Sequence, residues 1–385
     1  MRVSAVVMVA LTVVGCGRIE RKTAFDPTTI NELTAYLLAN QQAPEDYVVS
    51  RFKEHDVVFL GELHRIKHDP ELVQHLIPLL YQSGVYTLAT EFARKQDQLL
   101  IDSLLGGVTY DESLARLIMF HQVVDWAYRE YVDIFKAAWL LNYSLPDNAR
   151  KFRVLGLNCS PDWSVMKSPA DRDVDSLKRL VWGGCTEKDW ADVILRQVSN
   201  GEKILVYCGM HHAFTEFLQP IVDDTGGFIR FEEDRVGRHV YNAIGKRTFT
   251  ISLHSPWYGP RDYSLLVRPA DGIVDEAMKS LGSRFEPIGF DVVGSPFANI
   301  APRDAVYRAG YDNFTLGKFC DGYICQKPFS EYEVVSYIDS FITESNLQYA
   351  QQQSPNPKFR NATVEEFEEA FKQQLYDWRQ TYRGM

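Results

Sequence analysis

Two segments of this chain carry residue types suited to proton transfer or metal binding, and they share one spacing. The first is the apolar run Val57-Val58-Phe59-Leu60 followed by Gly61-Glu62-Leu63-His64. The second is Ile204-Leu205-Val206-Tyr207-Cys208 followed by Gly209-Met210-His211-His212. Each reads as a buried strand, then Gly-x-x-His, then a helical pattern, with the glycine expected to make a tight turn. In an open parallel sheet the strand C-termini share one edge, where ligands bind. His64 and His212 are therefore expected to face one crevice. Glu91 follows a further apolar run at residues 85–89, and Asn158 follows another at 152–157.

Glu62, His64, Glu91 and His212 form the candidate catalytic set. As ligands, His64, Glu91 and His212 with water suit a divalent metal such as Mn, Co or Zn. The metal would lower the pKa of its water, and a carboxylate would take the proton. Without a metal, the same groups can work as a His/Glu acid–base pair. The Gly-x-x-His spacing selects His212 rather than His211. His64, His68, Glu71 and His75 fall on one face of a helix that starts early enough, at about 100° per residue. His68 is the candidate auxiliary ligand to a metal or a haem. Arg129 stands among Trp126, Tyr128 and Tyr131 in the insert after the second strand, and is a candidate for holding an anionic group or an oxyanion. That insert is expected to cover the crevice as a lid, with His121 close by.

Strands expected at residues 56–60, 85–89, 152–157 and 203–208 alternate with helices at 69–82, 96–105, 110–141 and 190–199. This alternation implies an α/β fold: a mostly parallel sheet with helices on both faces. Further strands are expected at 248–253, 263–267 and 322–326. Beyond residue 330 the pattern turns helical and polar. Thr363-x-x-Glu366 is a capping box, and Phe367, Phe371, Leu375 and Trp378 recur at helical spacing, as in a terminal helix packed on the domain. The expected organisation is a signal segment at 1–15, a tether and short helix at 16–50, an α/β domain at 51–330 and a helical extension at 331–385.

The start of the chain reads as a lipoprotein signal. Arg2 precedes a short apolar run that stops at Val13-Val14-Gly15-Cys16, too short to span a bilayer as a helix. Cleavage before Cys16 and acylation of its thiol would hold the protein at a membrane surface of the cell envelope. Several acyl chains anchor stably where one is marginal, and Gly17 favours the outer membrane where there are two. The formal net charge of −10 and the absence of a basic stripe argue against nucleic acid as a partner. Beyond Cys16 there are five cysteines. Cys208 sits in an apolar run as a buried thiol, and Cys159, Cys185, Cys320 and Cys325 are candidates for two disulfides in an oxidising compartment.

Several of these motifs resemble those of a known family. Gly61-Glu62-Leu63-His64, Ala89-Thr90-Glu91-Phe92 with the segment from Gln98 to Gly106, Trp126, Tyr131, Gly156-Leu157-Asn158 and Gly209-Met210-His211-His212 look like the ChaN-type haem-binding lipoproteins. That group belongs with the erythromycin esterase and Tiki-type protease families. The similarity covers roughly residues 50–220. It departs in the stretch 162–190 and in the C-terminal extension. The esterase relatives imply hydrolysis by His and Glu at the strand ends. The Tiki-type relatives imply a metal-dependent protease, and the ChaN-type members imply haem binding linked to iron uptake. Two functions follow: a hydrolase of ester or amide bonds in a small molecule or peptide, with metal assistance, or a haem- or metal-binding lipoprotein without turnover.

Overall fold

A computed structural model describes residues 25–385, apart from 169, 172, 173, 261–264 and 283–284. The signal segment and Cys16 lie outside the described residues. The strands are β1 (Val57–Glu62), β2 (Thr87–Arg94), β3 (Arg153–Asn158), β4 (Ile204–Gly209), β5 (Gln219–Val222), β6 (Phe228–Glu232), β7 (Thr248–Leu253), β8 (Trp257–Tyr258), β9 (Leu266–Val267), β10 (Ile288–Asp291) and β11 (Gly322–Cys325). The helices are α1 (Pro27–Asn40), α2 (Pro44–Arg51), α3 (His68–Gln82), α4 (Gln98–Gly106), α5 (Glu112–Gln122), α6 (Arg129–Ser144), α7 (Asp175–Val181), α8 (Glu187–Ser199), α9 (Val236–Ile244), α10 (Ile273–Ser280), α11 (Leu316–Phe319), α12 (Leu347–Gln353) and α13 (Val364–Arg383).

The main sheet runs β10-β11-β7-β1-β4-β2-β3, parallel except for β10 against β11. Its central strands are apolar without alternation because both faces are covered. In β1, Val57 and Phe59 join a core with Trp190, Ile194 and Val198 of α8 and Val236 and Val240 of α9. Val58 and Leu60 point the other way, into the core built with Val73, Leu76 and Leu80 of α3 and Val132 and Phe135 of α6. Helices therefore lie on both faces, as the strand–helix alternation implied.

Several boundaries differ from the sequence expectation. β2 continues past Ala89 to Arg94, so Glu91 lies inside a strand. The expected helix over 110–141 is two helices, α5 and α6, parted at Val123–Tyr128. α8 starts at Glu187, where Thr186 and Asp189 close a capping box. Cys159 and Cys185 are joined as a disulfide, whereas Cys320 and Cys325 are buried free thiols. Asp321 bonds along β7, to the Thr250 carbonyl and amide, and Gly322 opens β11. α13 has its capping box at Thr363 and Glu366, and buries Phe367, Phe371, Leu375 and Tyr382. Among the described residues, no helix is long and apolar enough to cross a membrane.

Candidate functional site

β1 and β4 are neighbours in register, with Gly61 opposite Cys208 and Glu62 opposite Gly209. The two Gly-x-x-His segments therefore leave the sheet side by side. β2 flanks β4 on its other side, so β4 separates His64 from Glu91. The sequence Gly209 resolves that separation. A Cβ there would lie 2.8 Å from His64 Cε1 and 3.4 Å from Glu91 Oε2. Without it, the imidazole and the carboxylate meet over the strand end. Gly61 is likewise a matter of space: its Cβ would fall 2.4 Å from Met210 Sδ and 3.0 Å from Met210 Cα. Neither glycine has positive φ; the left-handed residue is Arg65, at φ 78°, where the chain turns away after His64.

Glu91 lies between the two histidines. Its Oε2 accepts the Gly209 N–H at 2.7 Å. Its Oε1 is 3.8 Å from His64 Nε2 and 3.6 Å from His212 Nε2. Each histidine has a second carboxylate behind it, on opposite faces of the sheet. Glu62 Oε1 is 2.7 Å from His64 Nδ1. A carboxylate only accepts, so this Nδ1 carries a proton, and in the neutral ring Nε2 keeps the lone pair. Glu62 also accepts from Tyr131 Oη at 2.6 Å and from Tyr207 Oη, so both its oxygens are engaged. Glu187, in the first turn of α8, places Oε2 2.9 Å from His212 Nδ1. It is itself held by Arg235 at 2.5 Å and by the Val236 N–H at 2.8 Å.

Glu62, His64 and Glu91 are buried, while the His212 side chain keeps 24 % of its surface. Burial works against charge on both members of the second pair, but the pairing outweighs it. The His212 imidazole is held above its usual range by Glu187 and Glu91. The Glu187 carboxyl is held at about 2 by His212 and Arg235. Burial pushes the Tyr207 and Tyr131 phenols well up, and the Glu62 charge adds to it, so both remain donors.

The insert between β2 and β3 reaches this site at the break between α5 and α6. Trp126 sets its ring edge to face with His64 at 5.0 Å and stacks on Phe92. Tyr128 Oη accepts from Arg65 Nε at 2.8 Å. Arg129 lies apart, paired with Glu112 at 2.6 Å, and His121 pairs with Asp97 at 3.2 Å. His68 is buried on the Tyr332 ring at 4.7 Å, and burial pushes its imidazole down to about 3. His211 turns away from His212, to Tyr307 Oη at 2.9 Å and Gln219 at 3.1 Å. Sequence reasoning missed Glu187, Arg235 and Tyr207. Only Glu187 left a trace, in the Thr186-x-x-Asp189 cap that starts α8 early enough to include it.

Among the described residues, no group of three or more His, Cys, Asp or Glu side chains is placed to hold a metal ion. At this site His64 Nδ1, both Glu62 oxygens and Glu91 Oε2 have hydrogen-bond partners, His212 Nδ1 is ion-paired with Glu187 at 2.9 Å, and the two Nε2 atoms lie 3.8 and 3.6 Å from Glu91 Oε1. The described residues thus show no site for the divalent metal expected on His64, Glu91 and His212.

Residues 48–167 match the family model described as haem-binding uptake, Tiki superfamily, ChaN. The match covers less than a third of the chain. No curated protein matches this chain in sequence. Among solved structures it is similar to a protein from Bacillus cereus, with 12 % identity, 77 % of this chain and 97 % of that one covered, and a TM-score of 0.46. It is also similar to an erythromycin esterase variant, EreC, in its open conformation, with 11 % identity, coverage of 76 % and 94 %, and a TM-score of 0.47. A third is ChaN of Campylobacter jejuni, described with cofacial haem binding, at 15 % identity, coverage of 54 % and 84 %, and a TM-score of 0.37.

Proposed function

We propose that this chain is a hydrolase of ester or amide bonds, working by metal-free acid–base chemistry at His64, Glu91 and His212. The observation that carries the reading is the position of Glu91 Oε1, 3.8 and 3.6 Å from the two Nε2 atoms, with a carboxylate behind each ring. His64, its Nδ1–H fixed by Glu62, takes a proton from water at Nε2 as the water oxygen bonds to the substrate carbonyl carbon. His212, kept protonated by Glu187 and Glu91, gives its Nε2 proton to the leaving oxygen or nitrogen as that bond breaks. Glu91 Oε1 then returns the proton from His64 to His212, restoring both. Glu62, with Oε1 shared by His64 and Tyr131 and Oε2 accepting from Tyr207, positions His64. Tyr131 and Tyr207 hold Glu62 in turn.

The test is hydrolysis of a panel of generic esters and anilides by the purified protein, with and without prior chelation. Activity that survives chelation but falls at least about a hundredfold in each of His64→Ala, Glu91→Ala and His212→Ala is the expected result. Paired substitutions should cost little more than single ones, because residues acting as a unit are non-additive. Activity abolished by chelation and restored by Mn, Co or Zn would return the site to metal chemistry.

The match of residues 48–167 to a haem-binding family model favours a second reading, a haem carrier. Its signature is a Soret band after haem titration. At this site His64 and His212, each with Nε2 beside Glu91, would be the residues to hold it. Attachment to a membrane through an acylated Cys16 is part of the same proposal. Cys16→Ser should release the protein or leave an unprocessed precursor, and membrane fractionation unchanged in that variant would reject the anchor.

A further inference from the structure

Beside the histidine site, at the C-terminal ends of β2 and β3, lies a second opening. It is a pocket of about 400 Å³ open to solvent, bordered by Lys95, Gln96, Ser160, Trp182 and Asp189 and by the Cys159–Cys185 disulfide. Its volume is within the range of about 300–1,000 Å³ typical of small-molecule sites. It shares the sheet edge with the histidines and adjoins them through α8. Glu187 of that helix holds His212, and Asp189, two residues on, faces this pocket.

The wall chemistry narrows the ligand. Lys95 Nζ is 3.4 Å from Asp189 Oδ1, so the two charges offset each other within the pocket. A free anion would meet Asp189 and a free cation would meet Lys95, and each repulsion opposes the matching attraction. A purely apolar ligand would strip water from Lys95, Gln96, Ser160 and Asp189 without replacing its hydrogen bonds. What remains is a neutral group that both donates and accepts. Gln96 and Ser160 do both, Lys95 donates, and Asp189 accepts. Trp182 adds an indole, half-buried and set edge to face with Trp163 at 5.8 Å and 73°, a flat apolar surface among these polar groups. A sugar ring has this dual character, with hydroxyls around its rim and an apolar C–H face. The disulfide ties the end of β3 to the start of α8 and so holds two walls of the pocket in place.

We propose that this pocket binds a neutral, polyhydroxylated ring, a glycosyl group, through Trp182 with Lys95, Gln96, Ser160 and Asp189. The proposal concerns binding and does not depend on the hydrolytic reading. Its test is titration calorimetry and saturation-transfer NMR on the purified full chain, with maltose and N,N′-diacetylchitobiose as probes and sodium sulfate and tetramethylammonium as charged controls. Saturable binding of at least one disaccharide is expected at about 10 mM, where a site with a Kd of about 1 mM is about nine-tenths filled. Gln96→Ala and Lys95→Met should each weaken it by about threefold to tenfold, the worth of one lost hydrogen bond. Trp182→Ala should abolish it, and Trp182→Phe, which keeps a ring, should retain it if Trp182→Ala perturbs the fold. Absence of saturable binding by both disaccharides overturns the proposal. So does tighter binding of sulfate or tetramethylammonium, or disaccharide affinity unchanged in the Gln96 and Lys95 variants.

Discussion

Glu187 and His212 form an ion pair whose two members shift each other in opposite directions, and this gives the site a testable pH signature. Glu187 lies below the usual carboxylate range and His212 above the usual imidazole range. If His212 is the general acid, activity needs its proton and is lost as pH rises through its raised pKa. Glu187→Gln keeps the shape but removes the charge, so that pKa falls and the alkaline limb of the kcat profile moves to lower pH. Histidine NMR titration of the variant reads the same shift without substrate. An alkaline limb and a His212 titration both unmoved by Glu187→Gln would remove His212 from the acid role. Arg235 keeps Glu187 company through this change only partly satisfied, so the variant is compared at a temperature well below its own melting.

The strands determine what these residues can reach, and here the order β1-β4-β2 matters more than any single turn. Side chains from β1 and β2 meet across an intervening strand only because β4 ends in a residue without a side chain. Gly209→Ala would put a Cβ 2.8 Å from His64 Cε1, closer than carbon atoms pack. His64 must then move off the Glu62 carboxylate that Tyr131 and Tyr207 hold in place. A misplacement of about 1 Å costs about a hundredfold in rate, so kcat should fall by that order while circular dichroism reports a folded chain. Wild-type kcat in Gly209→Ala would show that His64 and Glu91 need not be in contact. The parallel sheet, its helices on both faces and the pairing of the Gly-x-x-His segments were legible in the sequence, because long apolar runs alternate with helical periods. The role of Gly209 was not, since strand order is a long-range property and the glycine reads equally well as a turn. Glu187 was hidden for a related reason. It stands 25 positions before His212, on a helix that packs across the opposite face of the sheet from Glu62, and nothing local ties it to a strand end. Tyr207 was concealed within an apolar run, where a phenol that caps Glu62 looks like one more core residue.

At the scale of the whole molecule, buried histidines set how stability follows pH. His68 and His211 are buried as neutral rings, one held at about 3 and the other well below its ordinary value, chiefly by loss of water. Unfolding exposes both to their ordinary pKa near 6.5, so below that pH the unfolded chain binds the extra protons. Stability therefore falls as pH drops from about 6.5, for His68 down to about 3. His212 has the opposite sign: its contribution is complete below 6.5 and is lost as pH rises through its raised value. Glu187 adds to the acid loss only below about 4.5, as pH approaches 2. Asp69, buried and pushed well above the carboxylate range, works against that loss, since the folded chain holds its proton more tightly. The histidines and Asp69 then compete on the acid side, and a single substitution separates them. His68→Gln removes one titrating group whose Nδ1 has no hydrogen-bond partner and leaves the Tyr332 contact region filled. One proton of linkage is worth at most about 1.4 kcal/mol per pH unit. Chemical denaturation at pH 6.5, 5.5 and 4.5 should therefore give a shallower loss of stability for His68→Gln than for the wild type, by up to that slope, whatever the offset between them at pH 6.5. Parallel lines across this interval would mean that His68 takes up its proton in the folded state, and that water reaches the interior between α3 and Tyr332.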